Sequence, residues 1–205
     1  MGCRLLIKLL FILFSLTTLL SGCFGATPYQ FKGSAVDPPL AIADFELKDT
    51  ATKPFRLSQM PGQVALIYFG YTSCPDACPL TMYDVKKALS QLPQGRERVK
   101  VIFISVDPER DTPELLARYL STLGPEFMGL SDDMAQVQEV MKLFGAFAEK
   151  DTTAQTAAGY LVSHTTRLYL VDPKKQQLLF MYPYGFKVDD LRSDLEYLLA
   201  QGPPG

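Results

Sequence analysis

Histidine occurs once in these 205 residues, as His164, so any metal or acid–base chemistry that needs an imidazole must use that position. Basic residues are in no surplus: 20 Lys and Arg stand against 22 Asp and Glu, for a net charge of −2. The overall positive footprint of a nucleic-acid binder is therefore missing. The one basic cluster, Arg96-Glu97-Arg98-Val99-Lys100, alternates with an acid and reads as a solvated loop. No apolar run is long enough to span a bilayer: Leu9 to Leu20 gives 12 residues, where a helix needs about 20. Cysteines number only four. Internal repeats and low-complexity segments are absent, and with 47% hydrophobic residues and scattered charge the chain is not of the disordered class.

The apolar run has a basic start, Arg4 and Lys8, and is followed by Leu20-Ser21-Gly22-Cys23. This order reads as a secretory signal over residues 1–22. Leu-Ser-Gly-Cys resembles the bacterial lipobox, which predicts cleavage before Cys23 and a lipid on that cysteine. The chain is then expected in the bacterial cell envelope, anchored on the outer, periplasmic face of the cytoplasmic membrane. Removing 22 residues from 205 leaves 183, and two positive charges go with them, leaving a net charge of about −4. That length is one ordinary domain with enough chain for a core. Residues 23–40 are rich in Gly, Pro and Ser and read as a tether, reaching about 20–25 Å if flexible. The folded domain is expected over 41–200, with 201–205 a frayed tail. Cys3 leaves with the signal, so Cys74 and Cys78 are the only free thiols, in a compartment where disulfides persist.

Within the domain the elements alternate. Val64 to Phe69 is a continuous apolar run, the pattern of a strand buried on both faces. Met82, Val85, Leu89 and Leu92 recur at helical spacing, and Val99 to Val106 forms a second buried strand. Thr112-Pro113-Glu114 reads as a helix start with proline at the first helical position. Met134, Val137, Val140, Met141 and Phe144 mark a further helix, with both methionines as core residues. Two strands, Arg167 to Val171 and Gln177 to Tyr182, join across Asp172-Pro173-Lys174-Lys175, and Leu191, Leu195, Leu198 and Leu199 form a closing helix. A βαβα start with a ββα finish predicts an α/β domain with a mixed central sheet between helices.

Cys74-Pro75-Asp76-Ala77-Cys78 falls where the first buried strand turns into its helix. Backbone N–H groups at a helix start favour a thiolate. Residues four apart share a helix face, with a Cα separation of about 6 Å that permits a disulfide. Pro79 suits the start of a helix better than its second turn, which allows a distorted turn instead. Cys78 is in register with Met82, Val85 and Leu89, so it should be partly buried. A static disulfide or two inert thiols are the plain alternatives; the corner position in an exported domain favours redox or metal chemistry. Two thiolates and one imidazole make three ligands, whereas structural zinc takes four. Soft thiolates select Cu(I) as readily as zinc.

Three stretches resemble the signatures of the Sco (SenC) family. Tyr68-Phe69-Gly70-Tyr71-Thr72-Ser73-Cys74-Pro75-Asp76-Ala77-Cys78-Pro79, with Thr81, is similar to its copper site. Phe103 to Pro113 (Phe-Ile-Ser-Val-Asp-Pro-Glu-Arg-Asp-Thr-Pro) resembles its second signature, and Tyr160 to His164 its third. The resemblance runs from about Pro39 to Leu199. It implies a thioredoxin-like fold and membrane anchorage outside the cytoplasm. It implies copper, as Cu(I) or Cu(II), on Cys74, Cys78 and His164, the cysteines also being a redox-active pair. The implied role is copper delivery to, or thiol reduction of, the dinuclear copper centre of cytochrome c oxidase. Fitting partners are the copper-binding subunit of that oxidase, other copper chaperones and thioredoxin-like reductants. Asp107 falls at the position of a family acid near the site; its plain alternative is a turn former, and Asp111 could help cap the next helix. Asp76 reads as a helix-start charge.

One departure is Ser163, where family members commonly carry an acid immediately before the histidine. Such a carboxylate orients a metal-bound imidazole and strengthens it. Two other readings of the same fold compete. A thiol peroxidase signature, Pro-x-x-x-Thr-x-x-Cys, would need proline at Ile67 and threonine at Tyr71, and has neither. A thiol–disulfide oxidoreductase with copper incidental remains open, although thioredoxins space their cysteines one residue closer and oppose them with a cis-proline loop, a position that His164 takes here.

Overall fold

The computed structural model describes residues 28–60, 64–156 and 159–201. The expected signal, Cys23, the beginning of the tether and residues 202–205 lie outside them. The chain divides into a unit ending at Gln30 and a unit from Phe31 onward, and the architecture is that of the second.

The long apolar runs form the centre of the sheet. Val64–Gly70 is buried at every position and pairs in parallel with Val99–Ser105, which pairs in parallel with Phe127–Ser131. Five of the remaining strands complete an eight-stranded sheet: Ser34–Ala41 (β1), Glu46–Asp49 (β2), Pro54–Arg56 (β3), Leu168–Asp172 (β9) and Gln177–Tyr182 (β10). With the three parallel strands as β4, β5 and β6, the order is β1-β10-β9-β4-β5-β6-β2-β3. β9 runs antiparallel to β4, with Tyr68 opposite Leu168. The carboxyl ends of β4 and β5 and the beginning of β9 therefore share one sheet edge, where α/β folds build sites. Ala148–Thr156 (β7) and Gly159–His164 (β8) form a separate two-stranded sheet.

Among the described residues, four α-helices flank the sheet: Ala77–Ser90 (α1), Pro113–Ser121 (α2), Met134–Leu143 (α3) and Val188–Gln201 (α4). Pro113 opens α2 as expected, and Thr112 caps it by accepting from the Leu115 N–H at 3.2 Å. Cys78, Met82, Val85 and Leu89 form one fully buried stripe of α1. Burial of the Met, Val and Leu side chains contributes about 1.5–3 kcal/mol each. The turn between β9 and β10 is held by Asp172, whose carboxylate accepts from the N–H groups of Lys174 and Lys175.

Three expectations change. Residues 34–40, read as tether, are strand β1 against β10; Pro38 and Pro39 sit where its register shifts, on a sheet edge that tolerates missing donors. Gln201, read as tail, closes α4. The strand β6, unmarked by any apolar run, includes Gly129, where a Cβ would come within 2.6 Å of Leu116 and 2.8 Å of Leu120. That glycine lets α2 pack directly on the sheet.

Candidate metal centre

β4 ends at Gly70, and residues 71–76 carry the chain from the sheet edge into α1. Within this corner the Cys74 N–H donates to the Tyr71 carbonyl at 3.2 Å. The helix starts at Ala77, so Cys74 precedes it and only Cys78 lies on it; the shared helix face expected for the two is not formed. Pro79 is accommodated because it stands in the first turn, where its missing N–H has no helical partner to lose. The first helical bond runs from the Leu80 N–H to the Asp76 carbonyl, 3.3 Å. The Asp76 side chain does not cap the helix; its carboxylate accepts from the Tyr184 hydroxyl at 3.2 Å.

Both cysteines are free thiols, Cys78 buried and Cys74 partly exposed. The Cys78 N–H points at the Cys74 sulfur, 3.5 Å away. Cys74 is held far below an ordinary thiol, at about 3: the hydrogen bond from Cys78 is the largest cause, burial opposes it, and the His164 ring and the N–H groups of Asp76 and Cys78 assist. Cys78 moves the other way, pushed up by burial and by the neighbouring Cys74 sulfur. One thiol is thus a poised thiolate and the other holds its proton.

His164 ends β8 and brings Nε2 to 3.4 Å from the Cys78 sulfur. Its Nδ1 lies 3.1 Å from the Thr165 carbonyl. A carbonyl only accepts, so Nδ1 donates to it and Nε2 is the nitrogen left facing the sulfurs. The backbone therefore orients the ring, with Ser163 and no acid immediately before it. The rings of Tyr68 and Tyr71 meet the imidazole edge-on, at 6.1 and 5.6 Å. The donor atoms of Cys74, Cys78 and His164 all lie within 4.8 Å of one another, the one such group among the described residues. Two cysteine sulfurs and an imidazole nitrogen are a donor set that suits a soft or borderline ion such as copper.

The two acids divide differently from expectation. Asp107 is fully buried, but its partners are Arg110 Nε and the Tyr160 hydroxyl, the latter at 2.6 Å. The Arg110 guanidinium stacks 3.7 Å from the Tyr160 ring centre and donates to the Tyr160 carbonyl. Asp107 thus grips the hairpin that carries His164 and does not itself bond to the three donors. Asp111 does not cap α2. It accepts from the N–H and hydroxyl of Thr72 and from the Ser105 hydroxyl, at 2.5–3.2 Å, pinning the cysteine corner to the end of β5. Burial raises its pKa against those bonds. Tyr71, Thr72 and Arg110 were present in the motifs but carried no assigned role. The signal that could have found Tyr68 is a hydroxyl in an otherwise apolar strand.

Comparison with known proteins agrees with this geometry. Residues 34–200 match the family model described as SCO1/SenC. A SCO2-like protein of Rickettsia prowazekii is 33% identical over 138 residues, 67% of this chain and 67% of its own length. The chain thus spans about two thirds of that curated relative. The solution structure of apo Sco1 from Thermus thermophilus has a TM-score of 0.73 at 38% identity, covering 84% of this chain and 99% of that one. The copper-bound ScoI of Bradyrhizobium japonicum has a TM-score of 0.67 at 32% identity, covering 77% and 98%. The mixed sheet with flanking helices is the thioredoxin-like fold that the motifs implied.

Proposed function

This chain belongs to the SCO1/SenC family, and we propose that it binds copper through Cys74, Cys78 and His164 and delivers it to the copper-binding subunit of cytochrome c oxidase during assembly of the dinuclear centre. The observation that carries this reading is the convergence of the three donors within 4.8 Å. Copper is cargo here. Two thiolates suffice for Cu(I), and the imidazole adds the nitrogen that Cu(II) requires. Partial exposure of Cys74 leaves one ligand open to an incoming donor from the acceptor protein. The Leu-Ser-Gly-Cys sequence supports a lipid on Cys23 and a working position at the outer face of the cytoplasmic membrane; no described helix is long and apolar enough to cross a membrane.

The unequal thiols favour a second activity of the same pair. The Cys74 thiolate can attack a partner disulfide, forming a mixed disulfide and expelling one partner thiolate. Cys78, on losing its proton, then attacks the Cys74 sulfur and expels the second. The partner gains two electrons and the pair closes to a Cys74–Cys78 disulfide. An oxidase subunit with oxidised copper-site cysteines is a fitting acceptor.

The test is transfer in vitro from the copper-loaded, reduced protein to a copper-free, reduced oxidase subunit domain. Appearance of the dinuclear-centre spectrum with loss of copper from this protein is expected. Failure of the protein to retain copper through desalting would overturn the delivery reading. Reduction of an oxidised subunit by the metal-free dithiol would then identify the exchange activity as the function.

A further inference from the structure

We propose that the buried phenol of Tyr68 is a hydrogen-bond donor to the Cys78 sulfur that sets how strongly this cysteine donates to bound copper; the inference rests on the copper reading above.

β4 is Val-Ala-Leu-Ile-Tyr-Phe-Gly, buried throughout, and Tyr68 is its only polar side chain. Phenylalanine would fill the same space. The hydroxyl instead lies 3.8 Å from the Cys78 sulfur and donates to it. The surroundings fix that aim. A Cβ at Gly70 would come within 2.8 Å of both the Tyr68 and the Phe103 rings, so the glycine leaves the ring its place. The imidazole of His164 packs edge-on against the same ring. Tyr68 therefore touches two of the three donor residues, from a strand that cannot move without breaking the sheet.

The consequence depends on the state of the sulfur. Without metal the sulfur belongs to a thiol or a disulfide, and either is a weak acceptor. Bound to copper it is a thiolate, and the bond becomes charge-assisted and stronger. Hydrogen bonding around a cysteine sulfur withdraws electron density from the metal–sulfur bond and tunes the metal's potential. The phenol should thus matter to the copper protein and little to the free dithiol.

The experiment compares wild-type protein with Tyr68→Phe in the reduced full-length chain. In the Cu(II) form, the thiolate-to-copper absorption should move to longer wavelength, because an unbonded sulfur gives up its electron more readily. Preference for Cu(II) over Cu(I) should rise about tenfold, which lowers the one-electron potential by about 59 mV. The disulfide potential of the metal-free pair should stay within a twofold change of its equilibrium constant, a readout that general loosening of the core would move. Placing 3-fluorotyrosine at position 68 alone, a stronger donor of the same shape, should shift the band the opposite way, and it keeps the test available if the Phe variant folds poorly. An unchanged band in both variants, or equal shifts in the copper and disulfide potentials, would overturn the proposal. If wild-type protein held no copper, the functional reading would fall, while the thiolate-to-metal band of the Co(II)-loaded protein would still decide the role of Tyr68.

Discussion

The cysteine corner and the histidine hairpin meet at one point but are held by different physics. The corner grows from β4, buried at all its positions and paired on both sides by β5 and β9. Its loop is tied down by Asp111, and Cys78 belongs to the apolar stripe of α1. The hairpin β7–β8 forms a sheet of its own, slips register between Asp151 and Gln155, and shares no ladder with the main sheet. It is held to the rest of the protein by bonds at a few points: Val162 N–H to the Tyr71 hydroxyl at 3.3 Å, Tyr160 to Asp107 and Arg110, and Lys150 to Glu109. Elements with few buried apolar contacts open at lower free energy than core strands. The thiols are thus placed by the fold, and the imidazole is placed by docking. Disulfide chemistry belongs to the first region, and Cu(II) requires both.

Removing the hairpin's single donor should separate the two most sharply. His164→Ala leaves both thiols in place, so disulfide formation and reduction should persist. Cu(I) tolerates two thiolates, and its affinity should fall about tenfold. Cu(II) on two thiolates alone is prone to reduction with closure of the disulfide, so the variant should not hold it stably. Absorption of the Cu(II) form and disulfide yield can be read on one sample. An unchanged Cu(II) spectrum would show that the hairpin contributes no ligand; lost thiol cycling with copper retained would make His164 a base for exchange.

The corner's chemistry should survive acid conditions without metal. With Cys74 at about 3, its thiolate is fully formed at pH 5, where an ordinary thiol is almost wholly protonated. Part of that advantage is lost because a low-pKa thiolate is a poorer nucleophile, which leaves about a tenfold excess of alkylation rate at pH 5 over the unfolded protein. The rate should decline only as the pH approaches the Cys74 pKa. Mass spectrometry of iodoacetamide-treated protein across pH 3–8 would read it at Cys74. A rate that falls steadily from pH 8 to pH 5 would mean that the corner does not stabilise its thiolate.

The same contrast governs what could be read before the structure. Val64 to Phe69 and Val99 to Val106 declare buried strands because burial on both faces demands apolar side chains at every position, and Pro113 declares a helix start through its fixed geometry. The two cysteines were therefore placed correctly at a strand-to-helix corner, and His164 was found through a motif. β7, Ala-Glu-Lys-Asp-Thr-Thr-Ala-Gln-Thr, has no apolar alternation to announce it. β1 was hidden by its prolines, which an edge strand tolerates. Asp107 and Asp111 were recognised as acids of interest, but their partners, Tyr160 and Thr72, are 53 and 39 positions away, and no local spacing encodes such pairings.

Docking itself can be loosened without touching a donor. Tyr160→Phe removes one hydroxyl from Asp107 and keeps the stack under Arg110. Losing a hydrogen bond to a carboxylate costs about 1.5 kcal/mol, so the hairpin should open about tenfold more often. Hydrogen exchange at the Val162 amide should quicken by that factor, while amides of β4 stay unchanged. Because the docked hairpin remains the dominant state, Cu(II) affinity should fall by less than the exchange rate rises. Equal acceleration in β4 and β8 would show that the hairpin and corner open together, and the distinction between them would fail.

The smallest effect is expected at the residue immediately before the histidine. The family resemblance implies an acid at the position of Ser163, and Ser163→Asp tests whether the hairpin needs one to aim its imidazole. Three observations argue against a large gain. The Thr165 carbonyl already accepts from Nδ1 at 3.1 Å, which fixes the tautomer. Side chains alternate along a strand, so position 163 faces away from His164. Directly across the ladder, Ser163 is paired with Glu149, and both are exposed. Like charges in such a pair destabilise by roughly 0.2–1 kcal/mol. Copper affinity of Ser163→Asp should accordingly stay within about threefold of wild type, with slightly faster exchange in β8 that Glu149→Gln restores. A gain of tenfold or more would mean that a carboxylate at 163 reorients the imidazole, and that the backbone carbonyl is not what aims it.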